Sequence, residues 1–104
     1  MIKISNAFSI QMLTGGATVN FAPVTVEYVA RKIQTGFESY VGHADLAAVI
    51  SDAIGIEVPA NRSALTLTDD DILIVAQYRG PRLPEGTTKL PADASIEFWR
   101  VTII

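Results

Sequence analysis

The spacing of hydrophobic and polar positions changes several times along the chain, and each change marks an element. In "MIKISN" the isoleucines alternate with polar residues, which predicts a strand over residues 1–6 ending at Asn6. "SIQMLTGG" predicts a short turn of helix stopped by Gly15 and Gly16. "ATVNFAPV" predicts a second strand, with Pro23 near its end or on a sheet edge. The period then lengthens. Val26, Val29, Ala30 and Ile33 recur at helical spacing, after a cap candidate at Thr25 and before a stop at Gly36. Leu46, Val49, Ile50 and Ile54 repeat that pattern in "ADLAAVISDAIG", which ends at Gly55. "RSALTLT" and "DILIVAQYR" predict two more strands, joined by the acidic turn "DDD". "GPRLPEGTTKLPADA" has no period at all, and "SIEFWRVTII" predicts a closing strand.

The resulting order is β, β, α, α, β, β, loop, β. It predicts an α/β fold: a mixed sheet of about five strands with flanking helices. Residues 1–104 contain no repeat and no linker, so the expectation is a single domain. The aperiodic stretch is the odd part. A loop of about fifteen residues is long for a domain of this size, and such loops are usually functional. Its prolines stiffen it and its glycines let it turn. It is expected to lie over the site as a shaped binding loop.

Composition narrows the chemistry. The 104 residues are 49% hydrophobic, enough for one core and too apolar for a disordered chain. There is no cysteine, so disulfides, zinc–thiolate sites and thiol nucleophiles are excluded; a reducing cytoplasm fits this composition. A net charge of −3 argues against bulk electrostatic binding of DNA or another nucleic-acid polymer. No apolar run approaches the roughly 20 residues that a bilayer demands, and "MIKISNAFSIQML" does not read as a signal peptide.

Few polar residues sit at element ends, where sites are normally built. They are Asn6 and Ser9 after the first strand, His43 at a helix start, Arg62, and Gln77, Arg79, Arg82 and Glu85 late in the chain. His43 is the only histidine. Brought together, one imidazole, one carboxylate, several guanidiniums and small polar groups suit a phosphodiester. Arginine neutralises phosphate with a forked set of donors. An imidazole can protonate a leaving oxygen near neutral pH, and a neighbouring carboxylate can orient it and favour its charged form. Each residue also has a plainer explanation. A lone histidine at a helix start is most often structural, and a helix N-terminus disfavours imidazolium. Asn6 and Ser9 fit turn and cap positions. Arg79 and Arg82 fit solvated loop charges, Gln77 an outward strand position and Glu85 a turn. "TDDD" is expected to be a solvated turn and not a metal site.

Three segments resemble the viral anti-CRISPR ring nuclease family, whose relatives include ring nucleases encoded at type III CRISPR loci: "SNAFSIQML", "SYVGHADLAAVISDAIGIEVPANR" and "AQYRGPRLPEG". Their order and spacing span nearly the whole chain. The resemblance implies a homodimer that degrades cyclic tetra-adenylate without metal or other cofactor, with no DNA or membrane partner. It implies that His43 is the general acid, Glu85 its acidic partner, Arg82 a contact to the ring, and Asn6 and Ser9 pocket residues. Gln77 and Arg62 fall at ligand-side or supporting positions, and Arg79 contributes charge only. The implied chemistry fits the residue set. In RNA the 2′-hydroxyl is already tethered beside its own phosphorus, so holding it in line supplies much of the rate. The implied products are linear di-adenylates with 2′,3′-cyclic phosphate ends. Two other readings stay open: a pocket that sequesters the cyclic nucleotide without cleaving it, and an interaction protein with no nucleotide ligand.

Overall fold

A computed structural model describes all residues, 1–104. Five strands form one mixed sheet: β1 (Ile2–Ser5), β2 (Val19–Val24), β3 (Glu38–Tyr40), β4 (Ile72–Arg79) and β5 (Ser95–Ile103). Across the sheet they run β2-β5-β4-β1-β3. Strand β1 is parallel to both β3 and β4, while β5 is antiparallel to β4 and β2. Helix α1 (Val26–Ile33) leads from β2 to β3, and α2 (Ala44–Ile54) precedes the path to β4. A single 3-10 turn covers Ile10–Met12. The α/β sheet with two helices matches the sequence pattern. No helix is long and apolar enough to cross a membrane.

The helices form for local reasons the sequence displays. Thr25 Oγ1 accepts a hydrogen bond from Tyr28 N (3.1 Å), satisfying one of the free amides of the first turn of α1. Val29 and Ile33 are buried from that helix. Helix α2 ends at Gly55, whose φ of 80° is the left-handed conformation a C-cap favours and whose N donates to Ser51 O at 2.8 Å. From α2, Ala47, Val49, Ile50 and Ile54 are buried, with Leu46 only partly so.

Both faces of the sheet are covered, which is why β4 reads as a nearly continuous apolar run. On one face Ile4, Ile74, Ala76 and Phe98 pack with Val29, Ile33 and Ile50 of the helices. On the other, Leu73, Val75 and Val101 pack under Leu65 and Leu67. This second layer corrects the sequence reading of "RSALTLT". The segment is not a strand. Its apolar alternation is real, because Leu65 and Leu67 are buried, but its backbone pairs outside the sheet. Leu67 N donates to Met12 O at 2.8 Å, and Lys3 Nζ donates to Thr66 O at 2.8 Å. The fifth strand is instead β3, three residues that pair only with β1.

The acidic turn also differs from expectation. Asp71 is 5% exposed and is not a solvated surface charge. Its Oδ2 accepts from Lys3 Nζ (2.9 Å) and from Thr68 N (2.8 Å) and Oγ1 (3.1 Å). Burial is the largest single influence on this carboxyl and pushes its pKa up. The Lys3 ammonium and the two Thr68 donors together outweigh it, so the group titrates below its ordinary value.

Candidate functional site

Three parallel strands, β3, β1 and β4, end on the same edge of the sheet. The crevice beyond the carboxyl ends of parallel strands is where open α/β sheets place their ligands. Asn6 follows β1, Gly42 and His43 follow β3, and Arg82 and Glu85 follow β4. A cavity of about 780 Å³ opens there, on the helix side of the sheet. His43, Asp45 and Leu46 line it from the start of α2, and Arg82, Leu83 and Glu85 from the long loop. Tyr78 and Pro84 complete it.

His43 occupies the N-cap of α2 with extended backbone (φ −125°, ψ 128°), and its side chain makes no capping bond. Helix entry is served by its carbonyl alone, which accepts from Ala47 N at 2.9 Å. The imidazole is thus exposed and uncommitted, at the rim of the cavity. The residue just before it, Gly42, is contacted at both its N–H and its carbonyl. Asn6 Oδ1 accepts from Gly42 N (3.5 Å), and Arg62 Nε donates to Gly42 O (3.3 Å). Asn6 and Arg62 therefore position the histidine turn. Glu85 and Arg82 are exposed and form no ion pair; the chain's ion pairs join Asp71 to Lys3 and the N-terminus, and Arg79 to Glu97.

The other candidates lie elsewhere. Ser9 caps the 3-10 turn, its Oγ accepting from Gln11 N at 3.3 Å. Gln77 and Arg79 point to the opposite face, where they line a second cavity of about 430 Å³ with Phe8, Phe21 and Trp99. Arg79 is tied there to Glu97. The period of two explains the separation. Tyr78 shares the helix face with Ala76, so its neighbours Gln77 and Arg79 must face away. No group of three or more His, Asp or Glu side chains is arranged to hold a metal ion.

Residues 80–94 contain turns but neither helix nor strand. Tyr78 OH donates to Pro81 O at 2.6 Å and fixes the base of this loop. Gly80 has φ +156°, and a Cβ there would lie 2.5 Å from Ala94 Cβ and 2.9 Å from the Tyr78 hydroxyl. Gly80→Ala is therefore expected to destabilise the fold by roughly 1–3 kcal/mol, the cost of overpacking a tight contact. Urea unfolding measures it; an unchanged midpoint would show that the loop base yields freely. The sequence reading passed over Tyr78 and Asp45. Tyr78 looks like an ordinary strand residue. Asp45 looks like a first-turn acid of the kind any helix favours.

No curated protein matches the chain. Among solved structures, B116 of Sulfolobus turreted icosahedral virus superposes with a TM-score of 0.80 at 20% sequence identity, over 97% of each chain. That likeness is one of fold. The model of the STIV B116-like family matches residues 2–97, nearly the whole sequence, and the chain belongs to that family.

Proposed function

We propose that the protein is a metal-independent ring nuclease. It cleaves cyclic tetra-adenylate into linear di-adenylates with 2′,3′-cyclic phosphate ends, and so switches off type III CRISPR signalling. One observation carries the reading: His43 lines one cavity with Arg82 and Glu85, which lie far along the chain from it, and the imidazole is left free by its own helix cap. The three segments quoted above give the same residues the same roles. A virus-encoded member of the family would act in the host cytoplasm.

In the proposed reaction a ribose 2′-oxygen attacks the adjacent phosphorus. The bond from phosphorus to the 5′-oxygen breaks. The 2′-proton leaves to solvent, and His43 donates a proton to the departing 5′-oxygen. Arg82 neutralises the phosphate as charge develops. Glu85 lines the same cavity as an acidic partner. A ring of four nucleotides exceeds the drug-sized ligands that cavities of this volume hold. Two copies of the chain, sharing the two-fold axis of the ring, would each take half of it.

The test is product analysis on cyclic tri-, tetra- and hexa-adenylate in EDTA, alongside a 2′-O-methyl tetramer. Multiple-turnover cleavage of the ribose tetramer alone is expected. Cleavage of the methylated ring, or loss of activity in chelator, would overturn the mechanism. Stoichiometric binding without turnover would favour the sequestering alternative, for which the lack of an ion pair between Glu85 and His43 speaks.

Arg82→Ala is expected to weaken binding by roughly 1.5–3 kcal/mol, the worth of a hydrogen bond to a charged group. Because Arg82 is exposed, the difference should shrink as salt rises. Titration calorimetry at two ionic strengths checks this; an unchanged dissociation constant at low salt would make Arg82 a solvated surface charge.

A further inference from the structure

Residues Pro84–Thr87 form a turn closed by Thr87 N donating to Pro84 O at 3.1 Å. Gly86 is its third residue, with φ +82°, the left-handed conformation that glycine takes there. The Gly86 N–H plays no part in closing that turn. It donates instead to Asp45 Oδ1 at 3.0 Å, across 41 positions of sequence. Asp45 lies in the first turn of α2, two residues after His43.

The loop is thus fastened at two points. Its base is held where Tyr78 OH meets Pro81 O, and its turn is held where Asp45 meets Gly86. Between these points lie Arg82 and Glu85, the two loop side chains with charge in the cavity. The same short helical turn therefore carries His43 and grips the loop that faces it. We propose that Asp45 is a positioning residue: through its hydrogen bond to the Gly86 amide it sets Arg82 and Glu85 opposite the His43 imidazole. Which reaction this serves rests on the ring-nuclease reading; the fastening itself does not.

Asp45 could instead matter only as an acid at a helix N-terminus, worth a few tenths to about 1 kcal/mol. Two substitutions separate the roles. Asp45→Asn removes the charge but keeps an oxygen able to accept from Gly86. Asp45→Ala removes both. The first readout is hydrogen exchange at the Gly86 amide by NMR, which needs no ligand. Exchange should quicken about tenfold in Asp45→Ala, corresponding to a hydrogen bond of ordinary strength, and should stay within about threefold of wild type in Asp45→Asn. The second readout is turnover of cyclic tetra-adenylate. In Asp45→Ala kcat should fall up to roughly 10²-fold, as for a misplaced catalytic group, with KM changing far less, and Asp45→Asn should restore most of it.

Unchanged Gly86 exchange in Asp45→Ala would overturn the fastening. Equal losses of stability and turnover in the two variants would assign Asp45 to the helix alone. If wild-type protein cleaves no ring, the nuclease reading fails, and the exchange experiment still decides whether Asp45 holds the loop.

Discussion

His43→Ala protein is expected to fold, to bind cyclic tetra-adenylate nearly as wild type does, and to cleave it roughly 10²–10⁴-fold more slowly, the usual worth of a general acid. Folding should survive because the imidazole contributes nothing to the helix cap. The backbone carbonyl of residue 43 takes the Ala47 amide, and alanine retains that carbonyl. Binding should survive because Arg82 and the loop fastened to Asp45 remain. On the proposed dimeric ring-nuclease reading, mixed dimers with one mutant subunit should open the ring once and accumulate linear tetra-adenylate before any second cut. A variant that fails to fold or to bind would make His43 structural. One that cleaves at the wild-type rate would assign the proton to another group.

The parts of the fold that the sequence displayed are those whose signals are local. Helix α1 was legible because Thr25 caps it with its own hydroxyl and Val29 and Ile33 keep a 3.6-residue period. Strand β4 was legible as a long apolar run. Strand β3 was not, because three residues carry too little periodicity and it exists by pairing with β1, more than thirty positions away. The alternation of Leu65 and Leu67 reported burial correctly and pairing wrongly. Period two says which side chains go inward, while only the partners of the backbone amides say whether a ladder forms. Asp71 followed the same logic, since its burial depends on Lys3, 68 positions earlier.

Of the candidate site, the sequence offered the residue types but only part of their arrangement. His43, Arg82 and Glu85 share a cavity because the ends of β3 and β4 flank that of β1, a topological fact that no local window contains. Asn6 and Arg62 meet the backbone of Gly42 and are not among the residues lining the cavity. Gln77 and Arg79 fell on the opposite face by strand parity. Asp45 carried no sequence signal that distinguished it from any first-turn acid. Its partner, the amide of Gly86, is backbone and leaves no trace in composition.

Asp71→Asn is expected to produce the largest loss of stability of any single polar substitution in this chain. Asp71 is 5% exposed and Lys3 12%, and their bond joins β1 to the turn that feeds β4. The substitution leaves a nearly buried ammonium without its counter-charge, facing only Thr66 O and a neutral amide oxygen. A hydrogen bond to a charged group is worth about 1.5–3 kcal/mol. Breaking one side of a buried pair costs about 3–5 kcal/mol. With Lys3 slightly open to water, a loss of roughly 3 kcal/mol is expected, or a fall of roughly 12–24 °C in melting temperature for a domain of this length. The pH dependence gives a second, independent readout. Lys3 and Thr68 hold the Asp71 carboxyl below its ordinary value of 3.8 despite burial. A depressed carboxyl stabilises the fold at pH above its unfolded value, and that contribution fades as pH falls through the folded value. The gap between wild type and Asp71→Asn should therefore be constant from neutral pH down to about 5 and should close below pH 4. Denaturant unfolding across that range measures it. In a double-mutant cycle with Lys3→Met, the two losses should sum to more than the double variant loses, because the second substitution removes a charge already stranded. Strict additivity, or a gap that persists undiminished to pH 2, would show that the ionised carboxylate is not what ties β1 to β4.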